Sequence, residues 1–276
     1  MFASLNRKLM SLTALVSLVV GGLGAPAFAD DSGVFDGTST WIDIPVMPFY
    51  KQGNFTVEGM FKTSSPGAIF NLGTHNGPDT YFSVQIADYK DDKTTHKGVL
   101  RAIFRKLSGQ GGNDIITTTS VTDGKWHHFA AVGNEGKVEL YLDGTSVSPD
   151  AGNGIYLTDY IQVSKHKDPI TIDATPDLAV ALGRNVKSNT RYFKGEMDEI
   201  RFWSVPLSAN QIKGIVDGIS PIALVGHYSF DQEGLTADTK ILKESTQSLP
   251  RTDYTGTING TLTTGSGGLS LKDVKN

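Results

Sequence analysis

The chain has 276 residues, no cysteine and a formal net charge of −4. A mildly acidic chain without a basic stripe makes nucleic acid and anionic membrane surfaces poor partners. A fold without disulfides has to rely on a large hydrophobic core, on a metal ion, or on both.

The first 29 residues have the pattern of a secretory signal peptide. Arg7 and Lys8 give a positive start, residues 9–23 are apolar and uncharged, and Ala27-Phe28-Ala29 supplies the small residues of a cleavage site. A membrane anchor, the alternative, requires about 20 apolar residues, and this run is shorter. No later stretch is apolar enough to span a membrane. We therefore predict cleavage near Ala29 and a secreted protein, either periplasmic or extracellular.

Beyond residue 30, apolar and polar residues alternate with a period of two, which is typical of half-buried strands. Phe55, Val57, Gly59 and Phe61, for example, face one way, and the residues between them face the other. Similar alternation occurs in residues 41–44, 81–87, 99–107, 126–132, 137–143 and 178–182, with turn residues between the runs. Many short strands of this kind predict an all-β antiparallel sandwich or barrel.

One helix is predicted in the C-terminal half, over Ala209–Val216. Ser208 is placed as its N-cap, with Gln211 as the capping-box partner and Gly218 as the stop. The helix is too short to form a core, so we expect it to seal one edge of the sandwich. Residues 265–276 are rich in Gly and Ser and then charged, which predicts a disordered tail.

Four stretches, taken in order, resemble the laminin G-like jelly roll of the concanavalin A-like lectin/glucanase superfamily. They are residues 34–45, 55–61, 123–144 and 182–208, with Val-Phe-Asp-Gly, Asp-Gly-Lys-Trp-His-His and Glu-Met-Asp-Glu-Ile-Arg-Phe-Trp among their motifs. The resemblance implies a jelly-roll sandwich of two antiparallel sheets over residues 30–264. Residues 224–262 carry a further pattern of this family. They either close the sandwich or are the remnant of a second repeat, and we favour closure because forty residues cannot form their own core.

Because the superfamily includes glucanases, the carboxylates of the chain bear on whether it is an enzyme. Laminarinase-type relatives carry Glu-x-Asp-x-x-Glu on one strand, since retaining hydrolysis needs an acid and a nucleophile on the same sugar face. Glu196 and Asp198 begin this pattern here, but Arg201 occupies the position of the third acid. We therefore predict a non-catalytic protein. A hydrolase or lyase with a different site is the alternative.

Two adjacent histidines, His127 and His128, suggest a metal site at first sight. Neighbouring residues of a strand point to opposite faces, so the two imidazoles cannot chelate one ion together. We predict that His128 is a buried core histidine.

Asp198 is the candidate metal ligand. Simple alternation puts Asp198 on the face of Ile200 and Phe202, where a carboxylate must be paired, hydrogen-bonded or bound to a cation. Relatives of this fold often hold a structural calcium beside this strand. The resemblance therefore implies calcium at Asp198, with an oxygen from the 35–37 turn, where Asp36 carries a carboxylate. Calcium takes six to eight oxygen ligands, and an aspartate that is buried and hydrogen-bonded without a cation is the alternative.

Two loops are candidates for ligand binding. Sugar recognition combines aromatic faces with planar polar side chains, and rim loops are where rigid sandwiches bind. The candidate residues are Asn76, Asp79 and Tyr81 in one loop and Arg184, Asn185 and Tyr192 in the other. Ordinary polar turn composition is the alternative for each loop. We expect a secreted module that binds a glycan or glycoprotein, with a surface adhesion or assembly protein that binds another protein as the rival.

Overall fold

The structure is a computed structural model. It describes residues 31–45, 54–75, 80–90, 95–104, 113–134, 137–147, 154–157, 178–187, 190–216, 224–231, 241–242 and 256–265. The predicted signal peptide, residues 266–276 of the predicted tail, and the predicted ligand residues Asn76 and Asp79 lie outside the described residues.

The described strands form two antiparallel sheets, as the alternating pattern predicts. Sheet A contains β1 (Ser32–Asp36), β3 (Phe55–Thr63), β8 (Trp126–Asn134), β9 (Lys137–Leu142), β10 (Thr145–Ser146), β13 (Lys194–Trp203), β14 (Leu224–Tyr228) and β17 (Thr263–Gly265). Sheet B contains β2 (Trp41–Ile44), β4 (Gly67–Thr74), β5 (Thr80–Lys90), β6 (Thr95–Phe104), β7 (Asn113–Ser120), β11 (Gly154–Leu157), β12 (Leu178–Leu182), β15 (Ile241–Leu242) and β16 (Gly256–Asn259). The predicted jelly-roll sandwich is confirmed.

The strand order runs β10-β9-β8-β3-β13-β1-β17 in sheet A and β11-β7-β6-β5-β4-β12-β2-β16-β15 in sheet B. Neighbours in space are mostly distant in sequence, because the chain crosses between the sheets. Strand β14 pairs with the second half of β13, beside the part that pairs with β1. Strands β16 and β17 pair with β2 and β1, so residues 224–265 contribute strands to both sheets. Gly265, the first residue of the predicted tail, ends β17.

The main core lies between the two sheets and is built from alternate residues of each strand. Phe55, Val57 and Phe61 of β3 all belong to it, as the period of two predicts. Aromatic rings join the sheets: Phe55 lies 4.9 Å from Phe82 and Phe70 lies 5.5 Å from Phe202, centroid to centroid. Removing this apolar surface from water supplies the main driving force for a fold without disulfides.

Helix α1 (Ala209–Val216) begins and ends where the sequence predicts. Ser208 Oγ accepts a hydrogen bond from the Gln211 backbone N–H at 3.3 Å, and Gln211 Oε1 accepts one from the Ser208 N–H at 2.9 Å. The helix does more than seal an edge, because it lies on the outer face of sheet A. There Ile212 and Leu207 join a second apolar cluster with Ala130, Val132, Tyr141 and Trp203.

Strand β13 contains a β-bulge that the sequence analysis missed. The register with β3 shifts between Asp198 and Arg201, and Glu199 has a φ of 54°. Met197 and Ile200 therefore both face the main core, whereas Asp198 pairs with Met60 on the outer face. The prediction that Asp198 shares a face with Ile200 was wrong, because a bulge adds one residue and reverses the alternation.

Candidate functional site

The best candidate site lies on the outer face of sheet B. Ile42 and Ile44 of β2 point into the main core, so Trp41 and Asp43 point outwards. Three further residues meet them there: Asn259 from the neighbouring strand β16, and Arg184 and Tyr192 from the loop that joins β12 to β13. We call these five residues the Asp43 cluster.

Asp43 is the hub of the cluster. Its Oδ2 accepts hydrogen bonds from Trp41 Nε1 at 3.1 Å and from Asn259 Nδ2 at 3.0 Å, and its Oδ1 accepts one from Arg184 Nη2 at 3.2 Å. The Arg184 guanidinium also lies over the Trp41 ring, 4.3 Å from its centroid, in a cation–π arrangement. The Tyr192 ring lies 5.8 Å from Trp41, at an interplanar angle of 56°. An aromatic pair and a polar network are thus held side by side.

The 183–193 loop brings Arg184 and Tyr192 back to the same place. Gly183 has a φ of 86°, and its N–H donates to the carbonyl of Ile69 at 2.9 Å. Phe193 N–H in turn donates to Gly183 O at 2.8 Å, which closes the base of the loop. A β-bridge between Asn185 and Thr190 draws the two arms together above that base. A side chain at position 183 would strain the backbone, because only glycine adopts this φ at little steric cost.

The structure places the predicted ligand-binding residues in different surroundings. Arg184 and Tyr192 belong to the Asp43 cluster. Asn185 lies beside it but serves the loop, because its Oδ1 accepts a hydrogen bond from the Lys187 N–H at 3.1 Å. Tyr81 lies within β5. The predicted loop that contains Arg184 and Tyr192 therefore contributes to a candidate site. In the other loop, Asn76 and Asp79 lie outside the described residues.

Sequence reasoning missed three members of the cluster: Trp41, Asp43 and Asn259. A usable signal was present for two of them, because Trp41-Ile42-Asp43-Ile44 alternates, and its apolar Ile42 and Ile44 mark the inward face. Asn259 had no such signal, since the pairing of β16 with β2 joins residues more than 200 positions apart.

The two predicted metal ligands do not come together. Asp36 pairs with Lys194 in the register of β1 and β13, whereas Asp198 lies four residues further along β13, a separation of about 13 Å at strand rise. Asp36 Oδ1 accepts hydrogen bonds from the N–H groups of Thr38, Ser39 and Thr40 at 2.8–2.9 Å. Burial alone would raise its pKa, but the Ser39 hydroxyl and these N–H groups lower the pKa of Asp36 well below its usual range.

Asp198 is buried, at 2% exposure, and its Oδ1 accepts a hydrogen bond from the Glu199 N–H at 2.7 Å. Because of this separation, Asp36 and Asp198 do not fit a shared calcium. Within the described part of the chain, no group of three His, Asp or Glu side chains could hold a metal ion. Calcium at Asp198 with other ligands stays a prediction, and it is tested by the melting temperature of the wild type and of Asp198→Ala with and without EDTA.

The outer face of sheet A holds a second carboxylate network, which we call the Glu58 network. Glu58 accepts hydrogen bonds from Arg201 Nη1 at 3.3 Å and Trp203 Nε1 at 3.4 Å, and it contacts His128 Nε2 at 3.1 Å. Glu58 and His128 are fully buried, which confirms His128 as a core histidine. Burial alone would raise the pKa of Glu58, but the Arg201 charge and the His128 hydrogen bond lower it.

The sequence of the chain places this sandwich in a class and in a family. The class is the concanavalin A-like jelly roll, and the profile of its Laminin_G_3 family matches residues 36–213. The chain belongs to this family of the concanavalin A-like lectin/glucanases superfamily. None of the curated proteins matches the chain in sequence. In the described residues, no helix is both long and apolar enough to cross a membrane.

Solved structures are similar to the chain at low sequence identity, and one of them, with a TM-score above 0.5, shows the same fold. A Bacteroides ovatus protein assigned as carbohydrate binding is 21% identical, with a TM-score of 0.58; the match covers 86% of this chain and 60% of that protein. The chain thus spans less than two thirds of that relative's length. The heptameric SAP-like pentraxin of Limulus polyphemus is 18% identical (TM-score 0.48; 70% and 86% covered). The CBM40 of Ruminococcus gnavus IT-sialidase is 13% identical (TM-score 0.49; 66% and 95% covered).

Proposed function

We propose that this chain is a non-catalytic carbohydrate-binding module and that the Asp43 cluster is its binding site. One observation carries the proposal: two half-buried aromatic rings, Trp41 and Tyr192, lie beside a hydrogen-bonded carboxylate that is 42% exposed. Sugars present C–H patches to aromatic faces and hydroxyl groups to planar polar side chains. The assignment of the Bacteroides ovatus protein with the same fold agrees with this function.

The cluster is also prepared for binding before a ligand arrives. Arg184 covers one face of Trp41, and Asp43 holds the edge of the indole ring through Nε1. A side chain that is fixed in this way loses little rotamer freedom on binding, so the cost of ordering it is small.

The absence of catalysis is part of the proposal, and the contacts of β13 support it. Glu196 is engaged by Lys62 Nζ and by Ser32 Oγ, both at 2.8 Å. Arg201, at the position of the third acid, is paired with Glu58 and Glu199. Incubation with polysaccharides should therefore release no reducing sugar. Release that disappears in Glu196→Gln or Asp198→Asn would overturn this part of the proposal.

Export is the second part of the proposal and rests on residues 1–29. A carbohydrate-binding module outside the cytoplasm would meet polysaccharides or glycoproteins directly. Edman sequencing of the protein recovered from the periplasm or the medium should begin near Asp30.

A glycan array tests the binding site. We expect the wild type to bind at least one glycan, and Trp41→Ala and Tyr192→Ala to lose about tenfold or more in affinity. Trp126→Ala is the matched control, because Trp126 is equally half-buried but lies on sheet A, beneath Lys62. Equal losses of glycan affinity in Trp126→Ala and Trp41→Ala would show that the Asp43 cluster is not the binding site. If the wild type binds no glycan on the array but binds another protein from the organism that produces it, the adhesion alternative is favoured.

A further inference from the structure

We infer that the Asp43 cluster selects neutral glycans with free hydroxyl groups and rejects glycans that carry carboxylates. This inference rests on the proposed function and specifies the ligand class of the same site. It follows from counting which hydrogen-bonding atoms of the cluster remain open to a ligand.

Three of the side chains that carry N–H donors, those of Trp41, Asn259 and Arg184, are engaged within the cluster. The single donor of Trp41, Nε1, is bound to Asp43 Oδ2. Both hydrogens of Asn259 Nδ2 are used, since Nδ2 contacts Asp43 Oδ2 at 3.0 Å and Thr257 O at 3.2 Å. The Arg184 side chain is 8% exposed, with its guanidinium bound to Asp43 and stacked on Trp41. These three side chains therefore offer a ligand few N–H groups.

The acceptors, in contrast, remain open. A carboxylate has about four lone-pair sites, and Asp43 uses three of them, two at Oδ2 and one at Oδ1. Since 42% of its side chain is exposed, the fourth site can be reached by a ligand. The orientation of the Asn259 amide is fixed, because both neighbours of Nδ2 are acceptors. Asn259 Oδ1 receives no hydrogen bond from a described residue and is a second open acceptor.

Acceptors recognise donors, and the donors of a sugar are its hydroxyl groups. A carboxylate on the ligand would instead face Asp43 with the same charge and with no hydrogen to give, which is unfavourable. Arg191, a second arginine of the loop, does not cancel this effect. Arg191 donates to Gln85 Oε1 on β5 at 3.3 Å, and β5 lies three strands from β2, or about 14 Å away.

The test compares matched pairs of probes. An array presents oligomers of glucose, mannose and galactose beside oligomers of glucuronate, mannuronate and galacturonate with the same linkage and length. For the pair that the wild type recognises, we expect the neutral member to bind about tenfold more tightly or better. In Asp43→Asn, which keeps the shape and removes the charge, this preference should fall to about threefold or less. Asp88→Asn, which removes a charge elsewhere on sheet B, is the control and should keep the preference.

The outcomes separate the inference from the proposed function. If the wild type binds acidic probes as tightly as neutral ones, and Trp41→Ala abolishes both, the inference fails and the binding site stands. If Asp43→Asn folds but keeps the wild-type preference, Asp43 is not its source and the inference also fails. If the wild type binds no glycan on this array or on the wider array that tests the proposed function, the proposed function fails and the inference fails with it. The wild-type comparison needs no variant, so it stays decisive even if Asp43→Asn does not fold.

Discussion

The two outer faces of the sandwich carry the same chemistry with different exposure. On sheet B, Asp43 accepts hydrogen bonds from an arginine and a tryptophan, with Asn259 as third partner; on sheet A, Glu58 does the same with Arg201 and Trp203, and His128 is the third partner. Glu58 is fully buried, whereas the Asp43 side chain is 42% exposed.

The packing of a helix over one of the two faces explains this difference in exposure. On sheet A, Leu207 and helix α1 pack over Trp203 and its neighbours and keep water away from that part of the face. The described residues place no helix over the Asp43 cluster. The same group of side chains therefore stabilises the fold on one face and is open to a ligand on the other.

The largest expected effect is on stability at the Glu58 network. Glu58→Ala leaves the buried His128 and the buried Trp203 Nε1 without their acceptor and leaves Arg201 with Glu199 alone. Removing one partner of a buried ion pair costs about 3–5 kcal/mol. Asp43→Ala should cost less, about 1–3 kcal/mol, because Asp43 is 42% exposed and Arg184, at 8% exposure, is the one buried partner that loses its carboxylate. Urea unfolding at neutral pH measures both free energies of unfolding. Similar losses of unfolding free energy in the two variants would contradict the view that burial makes Glu58 the more important of the two carboxylates for stability.

The next effect is a dependence on acid. The pKa of Glu58 is below its ordinary value of 4.5 in the folded protein. Its stabilising contribution is therefore present above pH 4.5 and is lost as the pH falls through the folded pKa. The difference in unfolding free energy between the wild type and Glu58→Gln should shrink as the pH falls below 4.5. A constant difference across this range would contradict the prediction.

A smaller effect on stability is expected at helix α1, which packs on the outer face of sheet A. Ser208→Ala removes the N-cap of α1 and should cost about 1 kcal/mol. Asn210→Ala, at an exposed position within the same helix, is the matched control and should cost less. Because the Asp43 cluster lies on the other sheet, neither variant should change glycan affinity. Loss of binding in Ser208→Ala would show that the two faces are coupled.

The smallest effect on stability is expected at His127, near the start of β8, and its pH dependence has the opposite sign to that of Glu58. His127 Nδ1 lies 3.0 Å from Asp143 Oδ2, and Nε2 lies 3.1 Å from Asp123 Oδ1. Burial alone would lower the pKa of His127, but the hydrogen bonds and charges of the two aspartates raise it above 6.5. Its contribution is thus present below pH 6.5 and is lost as the pH rises through the folded pKa.

Because both aspartates are partly exposed, this contribution should be a fraction of 1 kcal/mol. His127→Gln should flatten the change in unfolding free energy between pH 6 and pH 8. An unchanged pH profile in that variant would mean that the imidazole is not charged in the folded protein.

Much of the architecture could be predicted because it depends on local patterns. The alternation in β3 places Phe55, Val57 and Phe61 in the core, and the Ser208–Gln211 capping box fixes the start of α1. The bulge at Glu199 could not be predicted from alternation alone, because that pattern assumes that successive side chains of a strand always point to opposite faces. That single residue moved Asp198 to the opposite face.

The sequence by itself determined the sandwich, its helix and the family, and it pointed to Arg184 and Tyr192 in a loop. Only the tertiary structure decided that these two side chains meet Trp41, Asp43 and Asn259, because strand pairing brings together positions that are far apart in the chain. It also decided that Glu58 is buried and Asp43 exposed. Exposure depends on what packs above a residue, and neither carboxylate's neighbours in sequence carry that information.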